Sequence, residues 1–97
     1  MSTYSLTIST PEGNVFKGDV TRLIVRGVEG DLAVMAGHVP FSTVVKEGNY
    51  SVAFEDGKVV EGHIGGGLLN VGAEGTTLLA GSIDWSEKSS EKSSEIS

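Results

Sequence analysis

The sequence has no cysteine, which excludes a disulfide framework and any thiolate zinc site. Basic residues are scarce: seven Lys and Arg stand against thirteen Asp and Glu, for a formal charge of −6. Phosphate backbones are held by clustered Lys and Arg, so nucleic acid is not an expected partner. The same sign disfavours docking on anionic lipid. No apolar run approaches the roughly 20 residues of a membrane span, so direct membrane insertion is not expected. Met1 to Leu6 carries neither the basic region nor the apolar stretch of a signal peptide, and exposure to the cytosol is the default expectation. Proline occurs twice and glycine fourteen times, a ratio that calls for many tight turns and many short strands.

What is present is alternation. Tyr4, Leu6 and Ile8 lie on one side of a strand over residues 3–9, with Thr3, Ser5, Thr7 and Ser9 on the other. Thr10 to Asn14 holds Pro11 and Gly13 and reads as a turn. Val15 and Phe16 form a short extended piece, and Gly18-Asp19 reads as a second turn. Leu23 and Val25 then oppose Val20, Arg22, Ile24 and Arg26. Phe41, Thr43 and Val45 oppose Ser42, Val44 and Lys46; Tyr50, Val52 and Phe54 oppose Ser51, Ala53 and Glu55. Asp56-Gly57 is a strong two-residue hairpin signal, and the returning strand puts Val60 and Ile64 on one face, Val59, Glu61 and His63 on the other. After Gly65-Gly66-Gly67, Leu68 to Val71 and Thr76 to Ala80 make a last hairpin. No segment up to residue 81 sustains a 3.6-residue period, so the expected fold is all-β, an antiparallel sandwich or barrel. Residues 82–97 change character: Ser, Glu and Lys repeat, apolar residues nearly vanish, and a disordered polar tail rooted by Trp85 is expected.

Between strands lies the stretch around which the chain is organised, Gly27 to Pro40. Glycines flank Glu29 and permit a tight turn, so Glu29 and Asp31 are expected to point outward at a loop tip. Leu32 and Val34 share one side of a short strand that Gly37 ends, and Pro40 biases Val39 towards extended backbone. This acidic tip makes a contact surface more readily than a reaction centre, because nothing nearby supplies the desolvated pocket that would split two carboxylate pKa values.

The remaining chemistry is thin. His38 and His63 are the only histidines. Glu61 and His63 sit two apart on one strand face, which is two ligands and not a metal site. His38 with Asp31 is a second pairing from which a catalytic centre is conceivable, and a loop or partner contact is the simpler role for His38. The triple glycine lacks a following Lys-Ser/Thr and a helix, so it is a bend and not a phosphate loop. Tyr4, Phe16, Phe41, Tyr50 and Phe54 are spaced as core. No reaction, cofactor or metal emerges; binding is the expected use, with a small ligand- or metal-binding β-sandwich module as the alternative.

The pattern as a whole resembles a known family. Thr10-Pro11-Glu12-Gly13 with Val15, Phe16 and Gly18, then Glu29-Gly30-Asp31-Leu32 with Val34, Gly37, His38 and Pro40, then Gly65-Gly66 with Leu68 and Val71, then Thr77 to Ala80, looks like the N-terminal domain of the ATP synthase epsilon chain over residues 3–81. The resemblance implies a flattened antiparallel sandwich of about ten short strands over residues 1–81. It implies a noncatalytic central-stalk (rotor) subunit coupling gamma to the membrane c-ring during proton-driven ATP synthesis. Such a subunit is peripheral, on the cytoplasmic face of the energy-transducing membrane. Carried over by position, Glu29, Gly30 and Asp31 face the polar loops of the c-ring, while Thr10, His38 and Thr43 lie near gamma. Ala36, Gly65 and Asn70 depart from the family pattern, with Ala36 standing where proline is common. The usual two C-terminal helices are expected to be absent, and with them the inhibitory role and any nucleotide site; a naturally short form and a truncated chain both fit.

Overall fold

Alternating apolar side chains need something to be buried against, and the chain satisfies this by stacking one sheet on another. A computed structural model describes residues 2–37 and 39–85. It comprises β1 (Tyr4–Thr10), β2 (Gly13–Val20), β3 (Arg22–Gly27), β4 (Gly30–Met35), β5 (Phe41–Val45), β6 (Gly48–Ala53), β7 (Val59–Ile64), β8 (Gly67–Val71) and β9 (Thr76–Ala80). A five-stranded sheet runs in the order β2-β1-β9-β8-β5, and a four-stranded sheet in the order β4-β3-β6-β7. Nine strands are therefore seen among the described residues, in the two-sheet sandwich that the resemblance implies and that the alternation leaves open beside a barrel. Pairing is antiparallel throughout except between β1 and β9, which run parallel with Leu6 opposite Thr76 and Ile8 opposite Leu78. The first and last strands can pair this way because the whole chain separates them.

The inward residues are the expected ones. Leu6, Ile8, Leu69 and Leu78 from the larger sheet meet Leu23, Val25, Val52 and Ile64 from the smaller, all fully buried. Tyr50 is buried with them, while Tyr4, Phe16, Phe41 and Phe54 pack around the core half-buried. Across the gap the Tyr4 hydroxyl donates to the Val34 carbonyl at 2.8 Å.

Three local expectations are corrected. Gly18-Asp19 is no turn but part of β2, with Gly18 opposite Leu6 and Asp19 opposite Ser5. Gly18 is there because the Phe16 ring lies over it, and a Cβ would come within 2.9 Å of that ring. The β6–β7 hairpin is closed by three residues, not two. Phe54 N–H donates to Lys58 O and Gly57 N–H to Phe54 O, with Gly57 at φ +93°, the arrangement of a type I turn followed by a left-handed glycine. Finally, the tail does not leave the sandwich at Ser82: Ile83 bridges Ile64 on the free edge of β7, and Trp85 roots the segment, as expected, by stacking on Tyr50 at 5.9 Å. The rest of the predicted tail, residues 86–97, lies outside the described residues.

The triple glycine is explained by close approach. A Cβ on Gly67 would fall on the Leu79 carbonyl oxygen, and one on Gly65 on the Ser82 hydroxyl.

Candidate interaction surfaces

The β3–β4 hairpin carries the acidic motif. Gly27 pairs with Gly30, leaving Val28 and Glu29 as a two-residue tip, and Gly30 takes a φ of +127° that a side chain would oppose. Glu29 is exposed at this tip, and beside it Val28 is 60% exposed. Asp31 is also exposed, but it is one residue inside β4, on the outer face of the smaller sheet and directly opposite Arg26. The two carboxylates thus leave the hairpin from a loop and from a strand, and only Glu29 belongs to the loop tip.

Two open grooves adjoin this hairpin. One, of about 500 Å³, runs between the tip and Phe41, Ser42 and Thr43. The other, of about 570 Å³, crosses the outer face of the smaller sheet from Arg26 and Asp31 past Ser51 to Glu61, His63 and Asp84. His63 Nε2 lies 3.4 Å from Glu47 Oε2, with both side chains largely in solvent. Among the described residues no three His, Cys, Asp or Glu converge as a metal site. Both grooves are surface troughs whose polar side chains are wet, an arrangement suited to contact and unsuited to holding a reacting group away from water.

The outer face of the larger sheet is different. Val44 is paired with Leu68, and Leu68 with Leu79. These three outward side chains are 51%, 52% and 49% exposed and form one apolar row across β5, β8 and β9. Ser9 continues the row on β1 opposite Leu79, and Thr10 and Pro11 close the end of the shallow groove over Leu68 and Leu79. The next row, Thr7, Thr77, Asn70 and Ser42, is polar, and Ser42 donates to Asn70 Oδ1 at 2.6 Å. A contiguous exposed apolar stripe bordered by polar residues marks an interaction face.

The residues predicted to lie near gamma therefore separate. Thr10 borders the apolar row. Thr43 faces the other way, on the same side of β5 as Phe41 and Val45, in the groove that also holds Glu29 and Asp31. His38 lies outside the described residues. Sequence reasoning missed Leu68 and Leu79, and the signal for them was present. Val44-Val45, Leu68-Leu69 and Leu78-Leu79 are apolar doublets on strands, and in a period of two one member of each doublet must face outward.

Two phenols stiffen the sandwich. Burial pushes the Tyr4 hydroxyl above its ordinary pKa. Burial, with the nearby Asp84 charge adding to it, does the same for Tyr50, whose hydroxyl donates to the Asp84 carbonyl at 2.5 Å. Both remain neutral donors at physiological pH.

Comparison with known proteins points one way. Residues 3–86 match the family described as ATP synthase, Delta/Epsilon chain, beta-sandwich domain. An ATP synthase epsilon chain, sodium ion specific, from Acetobacterium woodii is 35% identical over 86 residues, 89% of this chain and 65% of that protein. An ATP synthase epsilon chain from Maricaulis maris is 41% identical over 71 residues, 73% of this chain and 53% of that protein. The chain thus spans less than two thirds of the length of these relatives. In fold it is similar to a chain of the Euglena gracilis mitochondrial ATP synthase, with a TM-score of 0.81 at 20% identity, covering 99% of this chain and 64% of that one. It is also similar to a chain of the central stalk and c-ring assembly of the Tetrahymena thermophila enzyme, with a TM-score of 0.71 at 17% identity, covering 82% and 64%.

Proposed function

Since the chain belongs to the ATP synthase delta/epsilon beta-sandwich family, we propose that it is a noncatalytic central-stalk subunit of an F-type ATP synthase, joining the gamma subunit to the c-ring during ion-driven ATP synthesis. It works on the cytoplasmic face of the membrane and is held there through the complex; among the described residues no helix is long and apolar enough to cross a bilayer. Torque passes through shape and contact, with no bond made or broken in this subunit.

One observation carries the reading: the apolar row Val44, Leu68 and Leu79 on the outer face of the larger sheet. Three large side chains about half exposed across adjacent strands are costly to leave in water and are stabilised when a partner covers them. Gamma is the partner assigned to this row, with Thr10 at its end. The acidic end of the β3–β4 hairpin, with Glu29 at its tip and Gly30 and Asp31 at the start of β4, is assigned to the c-ring. Polar loops bearing basic side chains would gain charge-assisted hydrogen bonds and steering from its two carboxylates. His38 and Thr43 keep the gamma assignment that the resemblance gives them, Thr43 from the groove beside the tip. The sandwich domain is assigned to residues 1–81 and the polar segment to 82–97, with residues 82–85 packed on the sandwich as the link.

Co-purification with gamma tests this. The full chain binds gamma at micromolar concentration, and Leu68→Asp, which changes only an outward side chain, lowers the affinity at least about tenfold. Absence of association by the unaltered chain would overturn the assignment.

A further inference from the structure

We propose that Ser82–Trp85 is a releasable clasp, a short segment that docks on the finished sandwich and detaches from it while both sheets stay folded. The segment leaves β9 in the larger sheet and adds itself to the outer edge of β7 in the smaller one. Gly65 N–H donates to Ser82 O at 2.9 Å, Asp84 N–H donates to His63 O at 2.9 Å, and Ile83 stands antiparallel to Ile64 between them. The Tyr50 hydroxyl holds the Asp84 carbonyl from the side. Trp85 closes the arrangement: its ring stacks on Tyr50 with 7° between planes and lies tilted against Phe16 of β2 at 4.8 Å. Phe16 in turn meets Phe54 edge-on at 5.6 Å. One segment thereby ties an edge of each sheet together.

Its attachment is shallow by comparison with the core. Ser82 and Asp84 are exposed, Ile83 and Trp85 half-buried, and none of the fully buried core residues comes from the clasp. Ile83 and Trp85 pack against the core from outside and stay half-buried, and a segment held at a sheet edge by exposed residues opens at lower free energy than the whole fold. Gly62 keeps the seat clear, because a Cβ there would meet the Asp84 carbonyl and the Tyr50 ring. Opening would uncover the edge of β7 and the shelf of Tyr50 and Phe16. It would also remove Asp84 from the wall of the groove that reaches Asp31. Closed, the clasp ties the two sheet edges together; open, it leaves both free. This holds whether or not the apolar row binds gamma.

Amide hydrogen exchange on the full 97-residue chain tests it. The Asp84 and Gly65 amides should exchange at least about tenfold faster than those of Leu78 and Val52 in the central strands. Tyr50→Phe, which deletes only the hydroxyl-to-carbonyl bond, should speed Asp84 and Gly65 by roughly fivefold and leave the central amides within about twofold. Trp85 is the only tryptophan, so its fluorescence reports the clasp alone; its red shift in urea should precede loss of the sheet signal. Equal exchange of clasp and central amides in the unaltered chain, with the two urea transitions coincident, would make the segment part of the cooperative core and overturn the proposal.

Discussion

The hydroxyl of Tyr4 on β1 reaches across the sandwich and donates to the carbonyl of Val34 on β4, 2.8 Å away in the other sheet. Val34 lies opposite Leu23 in the smaller sheet, so this bond joins the two sheets at that pair. Tyr4→Phe keeps the ring and removes the bond. The expected loss is about 1 kcal/mol, read as a lower urea midpoint with an unchanged slope. No change would mean that water replaces the hydroxyl without cost.

Alkaline pH should weaken the fold. The Tyr4 and Tyr50 hydroxyls are both raised from 10.0 in the folded chain, first of all by burial. A raised folded pKa means that the unfolded chain gives up its phenol protons first. Stability from these groups is therefore complete below about pH 10 and is lost progressively above it. Urea midpoints measured across that window should fall more steeply for the unaltered chain than for Tyr4→Phe or Tyr50→Phe, each of which removes one titrating group. Equal slopes in all three would contradict the shifts.

The two acidic residues of the hairpin should behave differently. Glu29 is exposed in a loop, and Glu29→Lys should change stability by under about 0.5 kcal/mol while weakening attachment to a basic partner. Asp31 faces Arg26 in register, so Asp31→Arg sets two cations opposite each other and should cost about 0.5–1 kcal/mol. Arg26→Asp in the same chain should recover most of that loss. A double-mutant cycle gives the coupling directly, and an additive result would show that the pair does not interact.

Gly67 is expected to tolerate no side chain. Gly67→Ala drives a methyl into the Leu79 carbonyl oxygen and against Ala80 on the paired strand β9. Backbone must move to relieve this, at a cost of about 3 kcal/mol or more. Thermal unfolding followed by circular dichroism measures it, and a variant as stable as the parent would show that β8 and β9 separate easily.

The inward face of nearly every strand was legible in the sequence, because Leu6, Ile8, Leu23, Val25, Val52, Val60 and Ile64 obey a period of two and all are buried. What failed was local. Gly18-Asp19 has turn chemistry, yet the glycine answers to the Phe16 ring above it, a contact between residues of one strand that composition does not reveal. Asp56-Gly57 marks a hairpin correctly but leaves the loop length open, since left-handed glycine serves two- and three-residue loops alike. The parallel β1–β9 pair and the seat of Trp85 depend on residues far apart in sequence and leave no local signature. The acidic tip was visible from its flanking glycines. The apolar row required one further step, the recognition that a doublet on a strand sends one side chain outward.

That step yields a test in which neighbouring leucines give opposite answers. Leu69 is fully buried, whereas Leu68 is 52% exposed in the apolar row. Leu69→Ala removes core packing and should cost about 2–5 kcal/mol, depending on how far the sandwich closes over the cavity. Leu68→Ser removes a side chain already half in water and should cost under about 0.5 kcal/mol, while reducing binding of whatever covers the row. Stability is read from urea unfolding and binding from the gamma association described above. The two substitutions exchange roles if β8 slips by a single residue, because a period of two turns every side chain to the opposite face. A destabilised Leu68→Ser with a tolerated Leu69→Ala would therefore refute the register and the interaction face together.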